Sequence, residues 1–199
     1  MEPVMTRRHQ RRRLPSGVCT IVFLIGLSIG VMAKAQGASS GIPLENRIKA
    51  AFLVELFSYV DWPADAVPAS GDRFVVGVVG EGPTLLALLD LRGLEMEDNR
   101  RLVVERLTEA ADFGSCHMLF FSEDPGVDVG RVLAEIAEKA VLTVGETGDF
   151  TRLGGMVRFY LAADRVRFEI NPEASRTAGL RISSRLLRLA KITRMSGDR

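Results

Sequence analysis

Beyond residue 35, Cys116 and His117 are the chain's only cysteine and histidine, and they are neighbours. Nucleophilic catalysis needs a nucleophile, a base within hydrogen-bond reach, and a group that orients the base. CHMLFFS, residues 116–122, reads as a buried strand. Successive side chains of a strand point to opposite faces, so Cys116 and His117 cannot serve each other. Cys116 is expected as a small buried hydrophobe, and His117 as a hydrogen-bonded strand residue. Two such ligands on opposite faces do not make a structural zinc site. No acidic cluster has calcium-loop spacing. The sequence therefore nominates no catalytic residue, no metal and no cofactor.

Two glycine-bearing turns could approach a ligand. Gly80-Glu81-Gly82-Pro83-Thr84 lies between an apolar run and a helical pattern, where α/β sheets hold phosphates. It matches neither G-x-G-x-x-G nor a P-loop, and a tight turn with Pro at the first helical position accounts for it. Gly154-Gly155 precedes a hairpin and suits a positive φ or close backbone approach.

The remaining constellation centres on Glu169. RVRFEIN, residues 165–171, alternates apolar Val166, Phe168 and Ile170 with Arg165, Arg167, Glu169 and Asn171. Period-two alternation marks a strand with one face buried. On the neighbouring strand Arg158 occupies a polar position. The plainest reading is cross-strand charge pairing on a wet face, worth under about 1 kcal/mol per pair. Docking is the next reading. Catalysis comes last, for want of a second positioned group.

The elements that would hold these residues in place read as follows. A helix runs over 44–59, with Leu44, Ile48, Ala51, Phe52, Leu56 and Tyr59 as its expected buried stripe, and Trp62-Pro63 ends it. RFVVGVVG (73–80), LVVERL (102–107), CHMLFFS (116–122) and AVLTVGE (140–146) read as strands. Helical patterns follow Gly82-Pro83 and span Val129 to Ile136. MVRFYLA (156–162) and RVRFEIN (165–171) are joined only by Ala163 and Asp164, which requires an antiparallel hairpin. Two helices, 172–179 and 182–192, close the chain. The expected fold class is α/β: a three-layer α/β/α domain with a mixed sheet, a C-terminal antiparallel hairpin and terminal helices.

The N-terminus is set apart from this domain. Five arginines among the first 16 residues precede a charge-free apolar run, 17–33, and then Ala33-Lys34-Ala35. This is the layout of a secretory signal peptide, with the cut expected after Ala35 and an uncleaved membrane anchor as the alternative. The expected organisation is a signal peptide at 1–35, a leader at 36–43, one domain at 44–192 and a tail at 193–199. Residues 36–199 carry 20 basic and 24 acidic side chains, a formal charge of −4. That acidity argues against nucleic acid as a partner. Cys19 departs with the signal, so Cys116 has no internal disulfide partner.

IKAAFLVELFSYVDWP (48–63), SCHMLFFS (115–122), VLTVGETGDFTRLGGMVRFYL (141–161) and VRFEINPEASRTAGLRISSRLLRLAKI (166–192) resemble, in order and spacing, the YfiR-like family of periplasmic regulators. Its most specific parts here are Phe150 with Gly154-Gly155-Met156, Phe168-Glu169-Ile170-Asn171, and the leucine-serine pattern from Leu180 to Ala190. The resemblance implies an exported, non-enzymatic protein with a three-layer α/β fold, often a homodimer. It implies binding to the periplasmic sensor region of a membrane diguanylate cyclase, which is thereby held off, so that cyclic di-GMP and biofilm formation are controlled. It also implies an OmpA-type outer-membrane lipoprotein as a releasing partner. The alternative is a small-molecule binding protein that feeds another membrane signalling system. The family's docking or ligand surface falls on Phe150, Met156, Arg158, Glu169 and Ile170. Redox control through an internal disulfide is not available to a chain with Cys116 alone.

Overall fold

A computed structural model describes residues 41–67, 72–96, 99–109 and 112–193. The signal peptide, most of the leader and the tail beyond residue 193 lie outside the described residues. No helix among the described residues is long and apolar enough to cross a membrane.

Helix α1 spans Leu44–Leu56 and tightens into a 3-10 turn, Phe57–Tyr59, before the short strand β1, Val60–Asp61. Strand β2, Arg73–Val79, leads through Gly82 into α2, Pro83–Asp90, whose proline sits in the first turn, where no N–H is needed. Then come β3 (Arg101–Leu107), β4 (Met118–Phe121), α3 (Val129–Glu135) and β5 (Leu142–Gly145). Asp128 caps α3 by accepting from the Arg131 N–H. Strands β6, Val157–Ala162, and β7, Arg165–Ile170, form the expected hairpin. Ala163 and Asp164 take φ of 49° and 56°, as a two-residue turn with the right twist demands. Helix α4, Pro172–Thr177, is capped by the Asn171 carboxamide, which accepts from two N–H groups. Strand β8 (Arg181–Ile182), helix α5 (Ser184–Leu189) and strand β9 (Lys191–Ile192) follow.

The main sheet has the order β3-β2-β4-β5-β6-β7-β9. Its first five strands run parallel, β6 and β7 are antiparallel, and β9 lies parallel to β7. A second sheet pairs β1 with β8, joining the end of the first helix to the C-terminal segment. One face of the main sheet carries Phe74, Val76, Phe120, Val144, Phe159 and Ile170 against α1, α2 and residues of α4 and α5. The other carries Leu119 and Phe121 against α3 and Phe150. The architecture is the expected three-layer α/β/α domain with a mixed sheet.

Two expectations are corrected. The stripe assigned to α1 is right only in part: Leu56 is buried and Phe52 and Tyr59 pack against the core, but Leu44, Ile48 and Ala51 are exposed. Leu44 is 71% exposed and Ile48 38%, while Asn46, Lys49, Ala50, Leu53, Val54 and Leu56 are the buried positions. The helix turns two polar residues inward because they have partners there, described below. The helix expected over 182–192 is only α5, flanked by β8 and β9. Ser183 caps it by accepting from the Leu186 N–H, so Arg181 and Ile182 are left to pair with β1.

Candidate functional site

The segment from Glu146 to Met156 leaves β5, folds over the sheet on the α3 side and returns as β6. It is held at both ends and in its middle. Glu146 accepts an ion pair from Lys49 of α1 at 2.7 Å and a hydrogen bond from the Thr84 hydroxyl at 3.2 Å. Thr84 in turn accepts from the Asn46 carboxamide at 2.8 Å. This explains why Asn46 and Lys49 face inward on α1. In the middle of the segment, the Phe150 ring lies against Gly145 and Gly155, and a Cβ at either glycine would overlap it. The Gly155 N–H donates to the Phe150 carbonyl at 2.9 Å, closing the loop on itself. At the far end the Met156 N–H donates to Thr143 Oγ1 at 3.1 Å.

Glu169 sits beneath this segment and is only 5% exposed. The Thr151 hydroxyl donates to its Oε1 at 2.8 Å. Arg158, its register partner on β6, brings Nε to 3.0 Å of the same oxygen. That N–H has no aligned acceptor, so the contact is one of charge. Lys191, its register partner on β9, reaches Oε2 at 3.3 Å. Arg158 also donates to the Gly148 carbonyl at 2.7 Å and stacks its guanidinium on the Tyr160 ring at 5.1 Å. Next along the chain, the Asn171 carboxamide donates to the Thr151 carbonyl at 3.0 Å while its oxygen caps α4. One carboxylate and one carboxamide thus hold the same threonine from below.

Of the five residues singled out by sequence, Phe150, Met156, Arg158 and Glu169 belong to this segment or lie beneath it, and Ile170 does not join them. Phe150, Met156 and Ile170 are fully enclosed, Glu169 nearly so, and Arg158 is mostly covered. Arg158 and Glu169 lie under the segment and Phe150 and Met156 belong to it, whereas Ile170 faces α1 on the other side of the sheet. The charge pairing anticipated between Arg158 and Glu169 is present, but its acid is not wet, because residues 147–155 fold over it. Sequence reasoning did not find Thr151, Lys191 or the Asn46–Lys49–Thr84–Glu146 network. Each depends on contacts across at least 18 residues of chain, and no local pattern signals them.

Cys116 and His117 point to opposite sides, although the strand expected to begin at 116 begins at Met118 and both lie in the bend before it. Cys116 packs in the α3-side core, where burial pushes its thiol up to about 11. His117 stacks on Phe74 at 5.3 Å, and its Nδ1 accepts from the Val75 N–H at 3.1 Å. That places the ring proton on Nε2, and burial holds its pKa below the ordinary histidine value. The imidazole is a structural acceptor at the start of β4. Among the described residues no group of three His, Cys, Asp or Glu side chains could hold a metal ion.

A family model described as YfiR/HmsC-like matches residues 46–191. The chain belongs to the YfiR/HmsC-like family. The match runs from the first turn of α1 to the start of β9, so the buried carboxylate, its three partners and the segment above it all fall inside it. YfiR/HmsC-like proteins are regulators by family. Among solved structures, a conserved domain protein from Vibrio cholerae is similar at 14% identity with a TM-score of 0.43. The similarity covers 74% of this chain and 60% of that one.

Proposed function

We propose that this chain is a periplasmic regulatory binding protein that holds down a membrane diguanylate cyclase by binding the cyclase's sensor region, and so lowers cyclic di-GMP output. The YfiR/HmsC-like match over residues 46–191 carries this reading. The docking surface comprises the 147–156 segment and the adjoining hairpin. Phe150, Met156, Arg158 and Glu169 set its shape from within, and Ile170 anchors the same hairpin from the α1 side. A rigid, pre-formed surface favours binding, because little conformational freedom is lost on contact. Inhibition is then a population shift: the regulator stabilises the cyclase conformation that it binds more tightly. To hold the cyclase 99% inactive from an even balance requires about a hundredfold preference, or roughly 2.7 kcal/mol. An OmpA-type outer-membrane lipoprotein competing for the same surface would release the cyclase.

The test is binding of the exported protein to the periplasmic domain of the membrane protein encoded beside it, read by calorimetry. Arg167→Glu, exposed on the hairpin, is expected to weaken binding, whereas Arg92→Glu, also at an exposed position, is expected to leave it unchanged. No binding by the wild-type protein would remove that partner.

A second reading, small-molecule sensing, is favoured by a half-open pocket of about 330 Å³ beside the same segment. Leu133, Ala137, Leu153, Met156 and Ala174 line it, with Thr143 and Thr177 as its hydroxyls. Its volume is at the lower end of ligand sites, and the lining suits a neutral, largely apolar molecule. Saturable binding of such a molecule in the absence of any partner protein would support it.

A further inference from the structure

Charge is unevenly spread along this chain. Residues 41–156 carry 10 basic and 20 acidic side chains, whereas residues 157–193 carry 8 basic and 3 acidic ones. Seven of those eight cations are arginine. The fold gathers part of this excess on one surface. Strands β6 and β7 turn Val157, Phe159, Phe168 and Ile170 toward α1, so the alternate residues Arg158, Tyr160, Arg165, Arg167 and Glu169 face the α3 side. The core beneath α3 contains no residue of β6 or β7 among those described. Past Glu169 that sheet face is therefore not covered by any described element, and Arg165 and Arg167 are exposed on it. Lys191 extends the row onto β9 and is 68% exposed. The one acid on this face, Glu169, is already shared by Arg158, Lys191 and Thr151. No carboxylate among the described residues pairs with Arg165 or Arg167.

We propose that this bare face of the β6-β7-β9 end is a docking surface for an acidic segment of a protein partner, with Arg165, Arg167 and Lys191 taking its carboxylates. Arginine outnumbers lysine here, and its planar fork holds carboxylates by paired hydrogen bonds. Arginine and tyrosine are also the residues favoured in protein interfaces, where lysine is depleted. The opposite charges of the two parts of the chain orient the molecule as it approaches an acidic partner. This inference rests on the reading that the chain docks on a protein, and it names the chemistry of the contacted segment.

The test uses the exported protein and a fluorescent, end-capped peptide of alternating glutamate and leucine, followed by anisotropy. Phosphatidylglycerol vesicles serve as the competing anionic surface. The expected result is saturable peptide binding that weakens about tenfold between about 0.02 and 0.2 M salt. Arg165→Gln with Arg167→Gln is expected to weaken it at least about fivefold, and Arg92→Gln to leave it unchanged. Thermal midpoints of the variants within a degree or two of wild type would show that the fold is intact. Absent peptide binding, binding indifferent to the double substitution, or binding to vesicles alone would overturn the proposal. Because no cyclase is present, such a failure leaves the cyclase-binding result standing on its own.

Discussion

Phe150 and Gly155 close the covering segment on itself. The glycine donates its N–H to the phenylalanine carbonyl at 2.9 Å, and the phenylalanine ring occupies the space where a side chain at 155 would begin. Gly155→Ala should therefore cost about 1–3 kcal/mol by overpacking. In a domain of this size that lowers the thermal midpoint by several degrees. Gly148→Ala, in the same segment, meets nothing within 4 Å and should change stability by less than about 0.5 kcal/mol. Thermal unfolding of the two variants side by side checks the contrast.

The two cations on Glu169 are unequal. Arg158 is mostly covered, whereas Lys191 is 68% exposed. Glu169→Gln removes the counter-charge of a covered arginine and should cost about 3 kcal/mol. Lys191→Gln should cost under about 1 kcal/mol, as expected of an ion pair with one partner in water. Urea midpoints would rank them, and equal losses would show that Lys191 is held more tightly than its exposure indicates.

His117 supplies a pH dependence whose sign follows from its hydrogen bond. Its folded pKa lies below the ordinary value of 6.5, because burial disfavours the charged ring and Nδ1 is engaged as an acceptor. Above 6.5 the ring is neutral in both folded and unfolded chains, and this contribution is fully present. As pH falls below 6.5 the unfolded chain takes up a proton before the folded one, and stability declines until the folded pKa is passed. Urea unfolding from pH 7.5 to 5.5 should show this decline. His117→Phe, less stable throughout, should show a flatter profile over the same range.

Cys116 should be inert in the folded protein. Its thiol is buried and pushed up to about 11, so almost no thiolate exists at neutral pH. A disulfide reagent should label it slowly in the native state and at once in denaturant. Fast native labelling would mean that the α3-side core opens readily.

Strands β2, β4 and β5 were legible because each is a nearly continuous apolar run closed by a turn signal. The hairpin was legible because two residues can link strands in only one way. The first turns of the α1 face were misjudged because their inward side contains Asn46 and Lys49, whose partners Thr84 and Glu146 are distant in sequence. An apolar-periodicity rule counts such positions as outward. Strands β8 and β9 have two residues each, too few to carry any periodicity. At the candidate site, alternation correctly put Arg158 and Glu169 on one face. It could not tell that a loop centred on Phe150 folds over that face, since the loop is placed by glycine contacts and by Thr151 rather than by a pattern of its own.

The pairing of β1 with β8, and of β7 with β9, sets an order of assembly. Val60 waits for Ile182, and Glu169 for Lys191. Whether the chain emerges from a ribosome or through a membrane pore, the strand after α1 stays unpaired until residues 181–182 are out, and β7 lacks its outer neighbour until 191–192 follow. Contacts this far apart in sequence are slow to form, because a long loop must close first. A nascent or partly translocated chain therefore shows the exposed side of an unfinished sheet, and truncation near residue 190 would remove the final strand on which closure of that edge depends.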